Sequence, residues 1–180
     1  MIMEKLTLFL FVVGLLCVPT CSWAENWNSS YKVTVVEQPA RRLAGLRVRT
    51  NMRDSQKDCP DLWEKFTPSM EELARVAEAG SFGASVNLDA NGDFDYWAAM
   101  AVPQGAKAPS DMDCLEVKGG KYAQVVVENL ANLGAAYQYM YAEWEKTQND
   151  YRVDFTGACL EFYPKDWRDG DLVTIYVPLK

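Results

Sequence analysis

The stretch GGKYAQVVVENLANLGAAYQYMYAEW, residues 119–144, carries the strongest structural signal in this sequence. Residues Lys121 to Val127 follow a Gly-Gly pair and are rich in β-branched and aromatic side chains, which predicts a strand leaving a turn. From Asn129 onward, apolar residues recur every three or four positions, which predicts a helix of about four turns capped by Asn129 or Asn132. Its apolar face consists of Leu130, Leu133, Tyr137, Met140, Tyr141 and Trp144. We therefore expect a strand followed by a helix with an aromatic buried face.

The preceding residues predict the same order of elements. Lys32 to Gln38 and Leu43 to Thr50 have the alternation of two strands. Phe82 to Asn87 and Asp93 to Val102 predict a hairpin whose Asn-Gly pair at 91–92 supplies the positive φ angles of a tight turn. These segments form a first half with two strands on each side of a helix.

The helix of this first half is predicted from its prolines and caps. The sequence Cys-Pro-Asp at 59–61 is expected to open it, with the proline in the first turn, where its missing N–H costs nothing. Pro68 should interrupt the helix, and Ser69 with Glu72 predicts a capping box that restarts it.

The second half completes the pattern around residues 119–144. Cys114 to Val117 leads into its strand, and Thr156 to Tyr163 with Leu172 to Val177 predicts a closing hairpin. The order β-β-α-β-β therefore occurs twice. It predicts an α+β fold of two pseudo-symmetric βαββ halves, with two main helices on one side of antiparallel strands.

Residues 1–24 have the pattern of a secretory signal peptide. A lysine near the start precedes an apolar run from Leu6 to Val18, which is shorter than the roughly 20 residues that span a bilayer. Small residues occupy the −3 and −1 positions of a cleavage site between Ala24 and Glu25. The sequence predicts an exported protein, periplasmic in a bacterium or secreted, without an integral membrane span after cleavage.

Composition restricts the classes of function. The formal net charge is −7, so the chain is a poor candidate for binding nucleic acid, whose phosphates require Lys and Arg, and a better host for cations. It has no histidine, which removes the Ser-His and Cys-His nucleophile arrangements and weakens any metal site. We expect no metal, no cofactor and no nucleic-acid partner.

The cysteines leave two questions open. Cys59, Cys114 and Cys159 remain after signal cleavage, and either two of them pair in an oxidising compartment or all three are small buried hydrophobic residues. Cys17 or Cys21 could instead carry a lipid anchor, although the residues before them fit a lipobox poorly.

An ordered set of sequence blocks resembles the GyrI-like effector-binding domain, the small-molecule receptor module of some AraC-type and MerR-type multidrug regulators. The blocks are RLAGLRVRTN at 42–51, LWEKF at 62–66, DFDYWAAMAVP at 93–103, the stretch 119–144 and the ending CLEFYPKD…VTIYVPL. The resemblance covers residues 31–179 and identifies residues 25–180 as one such domain without the DNA-binding half of a regulator. It implies two βαββ halves, as also in SOUL-like proteins, with a ligand groove between them. It further implies aromatic walls and, in several members, a buried acid for cationic ligands.

Aromatic residues fall in or beside the expected groove. They are Tyr96, Trp97, Tyr137, Tyr141, Trp144, Phe162, Tyr163 and Tyr176. Aromatic faces bind flat apolar molecules and cations, although core packing is the alternative for each ring. The predicted ligand-binding residues are Trp97, Tyr137, Tyr141, Glu161, Tyr163, Thr174 and Tyr176.

The acidic residue is a departure from the family pattern. Two positions before Tyr176, where the family often has an acid, this chain has Thr174. Glu161 and Glu143 are the remaining candidates, and each has an ordinary solvated position as its alternative.

Three functions are compatible with these patterns. The favoured one is an exported, non-catalytic protein that binds an aromatic or amphipathic small molecule, cations included. The second is a hydrolase of strained electrophilic molecules in which Glu161, with Tyr137 or Tyr141, acts as general base. The third is a protein-interaction module that uses exposed residues such as Arg47 and Arg49.

Overall fold

The computed structural model describes residues 31–75, 77 and 80–180. The predicted signal peptide, its cleavage site and the two lipid-anchor candidates lie outside these residues. Within the described ranges, no helix has the length and apolar character needed to cross a membrane.

In the described part of the chain, eight strands and two helical segments follow the predicted order. The strands are β1 Thr34–Gln38, β2 Arg41–Asn51, β3 Ser81–Val86, β4 Asp93–Val102, β5 Asp113–Val117, β6 Gly120–Val127, β7 Cys159–Tyr163 and β8 Val173–Pro178. The helices are α1 Ser55–Phe66, α2 Met70–Leu73 and α3 Leu133–Tyr139. The predicted α+β arrangement of two βαββ halves is confirmed.

All eight strands form one antiparallel sheet in the order β1-β6-β8-β7-β3-β4-β2-β5. The strands of the two halves correspond as β1 to β5, β2 to β6, β3 to β7 and β4 to β8. When each strand is exchanged with its counterpart, the same order is obtained, read from the other edge of the sheet. The pseudo-two-fold axis therefore lies between the central strands β3 and β7. The first strand of each half crosses over, since β1 pairs with β6 and β5 pairs with β2.

The first helix begins earlier than predicted. The Asn51 side chain accepts hydrogen bonds from the backbone N–H groups of Arg53 and Asp54, at 3.0 and 3.1 Å, and this turn starts α1 at Ser55. Pro60 consequently lies inside the helix, and its prediction as a first-turn residue was wrong.

The interruption of this helix by Pro68 is confirmed. A 3₁₀ turn, Thr67–Ser69, separates α1 from the short α2. Ser69 makes no side-chain capping hydrogen bond, so the predicted capping box with Glu72 was wrong. The backbone N–H of Met70 instead donates a hydrogen bond to the carbonyl oxygen of Thr67 in the preceding 3₁₀ turn.

The second helical segment changes its winding along its length. A 3₁₀ turn, Leu130–Asn132, leads into α3, which continues as a π-helical turn, Met140–Trp144, and a final 3₁₀ turn. Neither Asn129 nor Asn132 caps it through a side chain, contrary to the prediction. Its buried stripe is Ala136, Met140 and Trp144, whereas Leu130 is 40% exposed.

The two faces of the sheet have separate cores. The helices cover one face, where α3 packs over β6 and β8 and α1 packs over β4. Core residues of that face include Phe66, Met100, Val125, Met140 and Ile175. The opposite face has its own cluster, with Leu43, Phe82, Trp97 and Leu160. Side chains of a strand alternate between these faces, so register decides which residues meet the helices.

Candidate functional site

A cavity of about 1480 Å³ lies between the two helical segments and the central strands. It is larger than the roughly 300–1,000 Å³ of typical small-molecule pockets. Residues of α1, α2 and α3 form its walls, and β3, β4 and β7 form its floor. The lining includes Cys59, Trp63, Met70, Tyr96, Met100, Tyr137, Tyr141, Phe155, Cys159, Glu161, Tyr163 and Trp167.

Glu161 lies at the centre of this floor. Strand β7 points Cys159, Glu161 and Tyr163 toward the helices, because alternate residues share a face, while its other residues join the opposite core. Only 8% of Glu161 is exposed. Five residue pairs join β3 to β7, and Gly83 with Glu161 is the middle one. The carboxylate therefore lies close to the pseudo-two-fold axis.

Three tyrosine hydroxyls donate hydrogen bonds to the Glu161 carboxylate. Tyr96 and Tyr163 donate to Oε2, each at 2.9 Å, and Tyr137 donates to Oε1 at 3.2 Å. The indole Nε1 of Trp63 donates in turn to the Tyr96 hydroxyl oxygen at 3.0 Å. Residues from β4, β7, α1 and α3 are thus joined in one hydrogen-bond network.

This network leaves the carboxylate without a counter-charge. Burial raises the pKa of Glu161, while the hydrogen bonds from Tyr163, Tyr96 and Tyr137 oppose that increase. No Lys or Arg of the described residues is among the groups that shift it. Burial and the nearby Glu161 charge raise the pKa values of Tyr96 and Tyr137 well above their ordinary range. Both hydroxyls therefore keep their protons at neutral pH and act as donors.

Tyr137 and Tyr141 form a parallel pair along the helix. Their ring centroids are 6.0 Å apart with an interplanar angle of 15°. The two tyrosines are four residues apart, which is a rise of about 6 Å along a helix, and alternate residues of a strand are about 6.7 Å apart. Because these distances are similar, each tyrosine can contact a different residue on the same face of β7. Tyr137 reaches Glu161, and the Tyr141 hydroxyl oxygen lies 3.2 Å from Cys159 Sγ.

A second aromatic wall is built around Tyr163. Its ring packs edge-to-face against Trp63, with centroids 5.2 Å apart, and against Trp167, with centroids 5.3 Å apart. Such rings present π faces and edges that suit flat apolar molecules and cations. The wall and the carboxylate share Tyr163, so a ligand can contact both.

The structure brings together some predicted site residues and separates others. Tyr137, Tyr141, Glu161 and Tyr163 all line the cavity, as does Tyr96. Trp97, Thr174, Tyr176 and Phe162 are on the opposite face of the sheet and outside the lining. Trp144 belongs to the core under α3, and Glu143 is exposed, with its Oε1 3.8 Å from the Nζ of Lys146.

The two arginines considered for protein interaction are in ion pairs away from the cavity. Arg47 lies 3.5 Å from the Asp113 carboxylate and packs over the Trp97 ring. Arg49 contacts Asp89 at 2.6 Å and Asp95 at 3.4 Å. Both are on the face that carries Trp97.

Sequence reasoning missed several cavity residues. Trp63 and Cys59 lie on α1, and Phe155 and Trp167 lie in loops of the second half. The available signal for Trp63 was its place in the block LWEKF at 62–66, where Leu62, Trp63 and Phe66 have the spacing of an apolar helix face, and that position also fits a core residue. Nothing in the loop sequences indicated that two aromatic residues would meet the cavity.

The described cysteines form no disulfide. Cys59 and Cys159 both line the cavity. Burial and the nearby Glu161 charge raise the pKa of the Cys59 thiol to about 12, and burial raises that of Cys159 to about 11. Both are therefore neutral thiols at physiological pH. Within the described part of the chain, no three His, Cys, Asp or Glu side chains are grouped as metal ligands.

One protein similar in sequence to this chain is a transcriptional regulator. The transcriptional regulator BrlR of Pseudomonas aeruginosa is 25% identical over 171 residues, which are 89% of this chain and 60% of that protein. The chain thus spans about 60% of the regulator's length.

Two solved structures show the same fold. SAV2435 bound to tetraphenylphosphonium has a TM-score of 0.65 at 17% identity, covering 83% of this chain and 94% of that one. An integron cassette protein from the mobile metagenome of Vibrio cholerae has a TM-score of 0.56 at 17% identity, covering 82% and 95%. The resemblance found in the sequence is confirmed by a family model that matches residues 31–180. This chain belongs to the GyrI-like small molecule binding domain family.

Proposed function

We propose that this protein is an exported, non-catalytic receptor or sequestering protein that binds an aromatic or amphipathic cation in the cavity beside Glu161. The observation that carries the proposal is a buried carboxylate, 8% exposed, whose hydrogen-bond donors among the described residues are all neutral tyrosine hydroxyl groups. Burying a charge without a partner is costly, and a cationic ligand supplies that partner.

The surroundings of the carboxylate support an aromatic or amphipathic ligand. Tyr137 and Tyr141 on one side and Trp63, Tyr163 and Trp167 on the other are large, rigid aromatic groups. Apolar contact with these rings favours a ligand with extended hydrocarbon surface, and their π faces attract its positive charge. SAV2435, which has the same fold, was solved with tetraphenylphosphonium, an aromatic cation.

Hydrolysis is the second candidate, favoured by two observations. Burial raises the pKa of Glu161, and Tyr137 contacts it at 3.2 Å, as a general base with a supporting donor would require. The three hydroxyl donors, however, hold the charged form of the carboxylate and occupy most of its lone pairs. Proton abstraction from water would have to compete with them, so binding is preferred to catalysis.

Export is supported by the signal-peptide pattern of residues 1–24 alone. The acidic composition supports a role without nucleic acid. Cell fractionation with intact mass measurement tests export. A mature mass that begins at Glu25 supports it, and an uncleaved cytoplasmic protein contradicts it.

Binding is tested by calorimetry with tetraphenylphosphonium and by quenching of tryptophan fluorescence, to which the cavity residues Trp63 and Trp167 contribute. Glu161→Gln should lower the affinity at least about tenfold, because a buried charge pair is lost. Glu143→Gln is the matched control, since it makes the same change at an exposed position. Equal affinity in all three proteins, or no binding of lipophilic cations, would overturn the proposal. Turnover of a strained ester or epoxide that Glu161→Gln abolishes would favour the hydrolase instead.

A further inference from the structure

We propose that the cavity discriminates among cations by hydrogen bonding and prefers a protonated tertiary amine to a quaternary ammonium ion. The preference would arise because Glu161 retains one acceptor position, on Oε1, for one N–H donor. This inference rests on the proposed function and adds the chemical class of the ligand.

The acceptor positions of the carboxylate can be counted. An ionised carboxylate has about four lone-pair positions, two on each oxygen. Tyr96 and Tyr163 fill both positions of Oε2, each at 2.9 Å. Tyr137 fills one position of Oε1 at 3.2 Å, and no further donor to Oε1 occurs among the described residues. One acceptor position on Oε1 is therefore left.

The two carboxylate oxygens of Glu161 differ in how accessible they are to a ligand in the cavity. A Cβ atom placed on Gly83 would lie 2.6 Å from Oε2 and 2.4 Å from the Tyr96 hydroxyl oxygen, so the adjacent strand closes that side. Oε1 is the oxygen that meets Tyr137 of α3, the helix that forms a cavity wall. A ligand between the helices therefore meets Oε1 rather than Oε2.

The number of N–H donors on the ligand then determines which class of ammonium ion binds more tightly. A protonated tertiary amine has one N–H and three carbon substituents, so it fills the remaining position and presents only hydrocarbon to the aromatic walls. A quaternary ion has the same charge and no N–H, so the Oε1 position stays unpaired in a site from which water has been displaced. An unpaired buried acceptor loses the value of a charge-assisted hydrogen bond.

The test compares two ligands that differ by one methyl group. They are N,N-dimethyl-1-naphthylmethylamine and its N-methylated trimethylammonium analogue, titrated calorimetrically at pH 7, where an aliphatic amine is protonated. The tertiary amine should bind at least about tenfold more tightly. Equal binding, or tighter binding of the quaternary ion, overturns the inference and leaves the proposed function intact. Failure of both to bind, together with failure of tetraphenylphosphonium, overturns the proposed function as well.

Two variants locate the origin of the preference. In Glu161→Gln, both ligands should bind weakly and the preference should fall below about threefold, because the charged acceptor is gone. In Glu143→Gln, the full preference should remain, since that residue is exposed. A preference that survives in Glu161→Gln would assign the N–H donor to another acceptor and overturn the inference.

Discussion

Gly83 and Glu161 face each other across the two central strands, and the missing side chain of Gly83 leaves the space in which the carboxylate meets the Tyr96 hydroxyl. A methyl group there would lie 2.4 Å from Tyr96 Oη and 2.6 Å from Glu161 Oε2. Gly83→Ala should therefore separate Tyr96 from Glu161 and lower the free energy of unfolding by about 1–3 kcal/mol. Urea unfolding measures the loss.

The matched control for this change is Gly134→Ala. Gly134 lies in α3, and a Cβ atom on it has no neighbour within 4 Å. Alanine is the better helix former, so this variant should be more stable by up to about 1 kcal/mol. A Gly83→Ala protein as stable as the wild type would show that the tyrosine and the carboxylate are not tightly packed over this glycine.

The stability of the protein should depend on the titration of Glu161. Burial raises its folded-state pKa above the unfolded value of about 4.5, so the folded protein holds this proton more tightly. The stability contributed by Glu161 is present below pH 4.5 and is lost as the pH rises through the raised pKa. The free energy of unfolding of the wild type, measured with urea, should therefore fall as the pH rises, relative to that of Glu161→Gln, which has no such proton. A stability difference between the two that is constant from pH 4 to 8 would contradict this assignment.

Removing single hydroxyl groups should distinguish the two faces of the sheet. Tyr137→Phe removes a donor to Glu161, so the pKa of the carboxyl should rise further and the affinity for a cationic ligand should change. Tyr176→Phe makes the same chemical change on the opposite face and should leave ligand affinity within about twofold. Carboxyl titration by NMR and calorimetry provide the readouts. A larger effect at Tyr176 would place the ligand on the face of Trp97.

The cavity thiols should react slowly. With pKa values of about 12 for Cys59 and about 11 for Cys159, little thiolate exists at pH 7.5. Alkylation by iodoacetamide, followed by peptide mapping, should be roughly a hundredfold slower than that of glutathione, since the thiolate is the reactive form. A saturating ligand should slow both further because both line the cavity. Rates like that of glutathione would show that these side chains are solvated.

Local patterns were sufficient to predict the order of elements. Three short-range signals were used: the β-branched run of β6, the Asn-Gly turn between β3 and β4, and the apolar repeat of the segment that contains α3. The start of α1 was missed because it depends on a turn made by the Asn51 side chain, which leaves no periodic pattern. The π-helical turn was likewise unpredictable, since the same apolar spacing fits an ordinary α-helix.

The site was only partly predictable, because it too depends on features that leave no local sequence pattern. Sequence alone determined the two βαββ halves, the family and a set of aromatic residues with Glu161 as a candidate acid. It could not decide that Tyr96 faces the cavity while its neighbour Trp97 faces away, or that Thr174 and Tyr176 lie on the far side. Adjacent strand residues point to opposite faces, and only the packing of the helices on one face determines which of the two becomes a cavity. The hydrogen bonds that join Glu161 to tyrosines 65 and 24 residues away exist only once the sheet has brought β3, β4 and β7 together beneath α3.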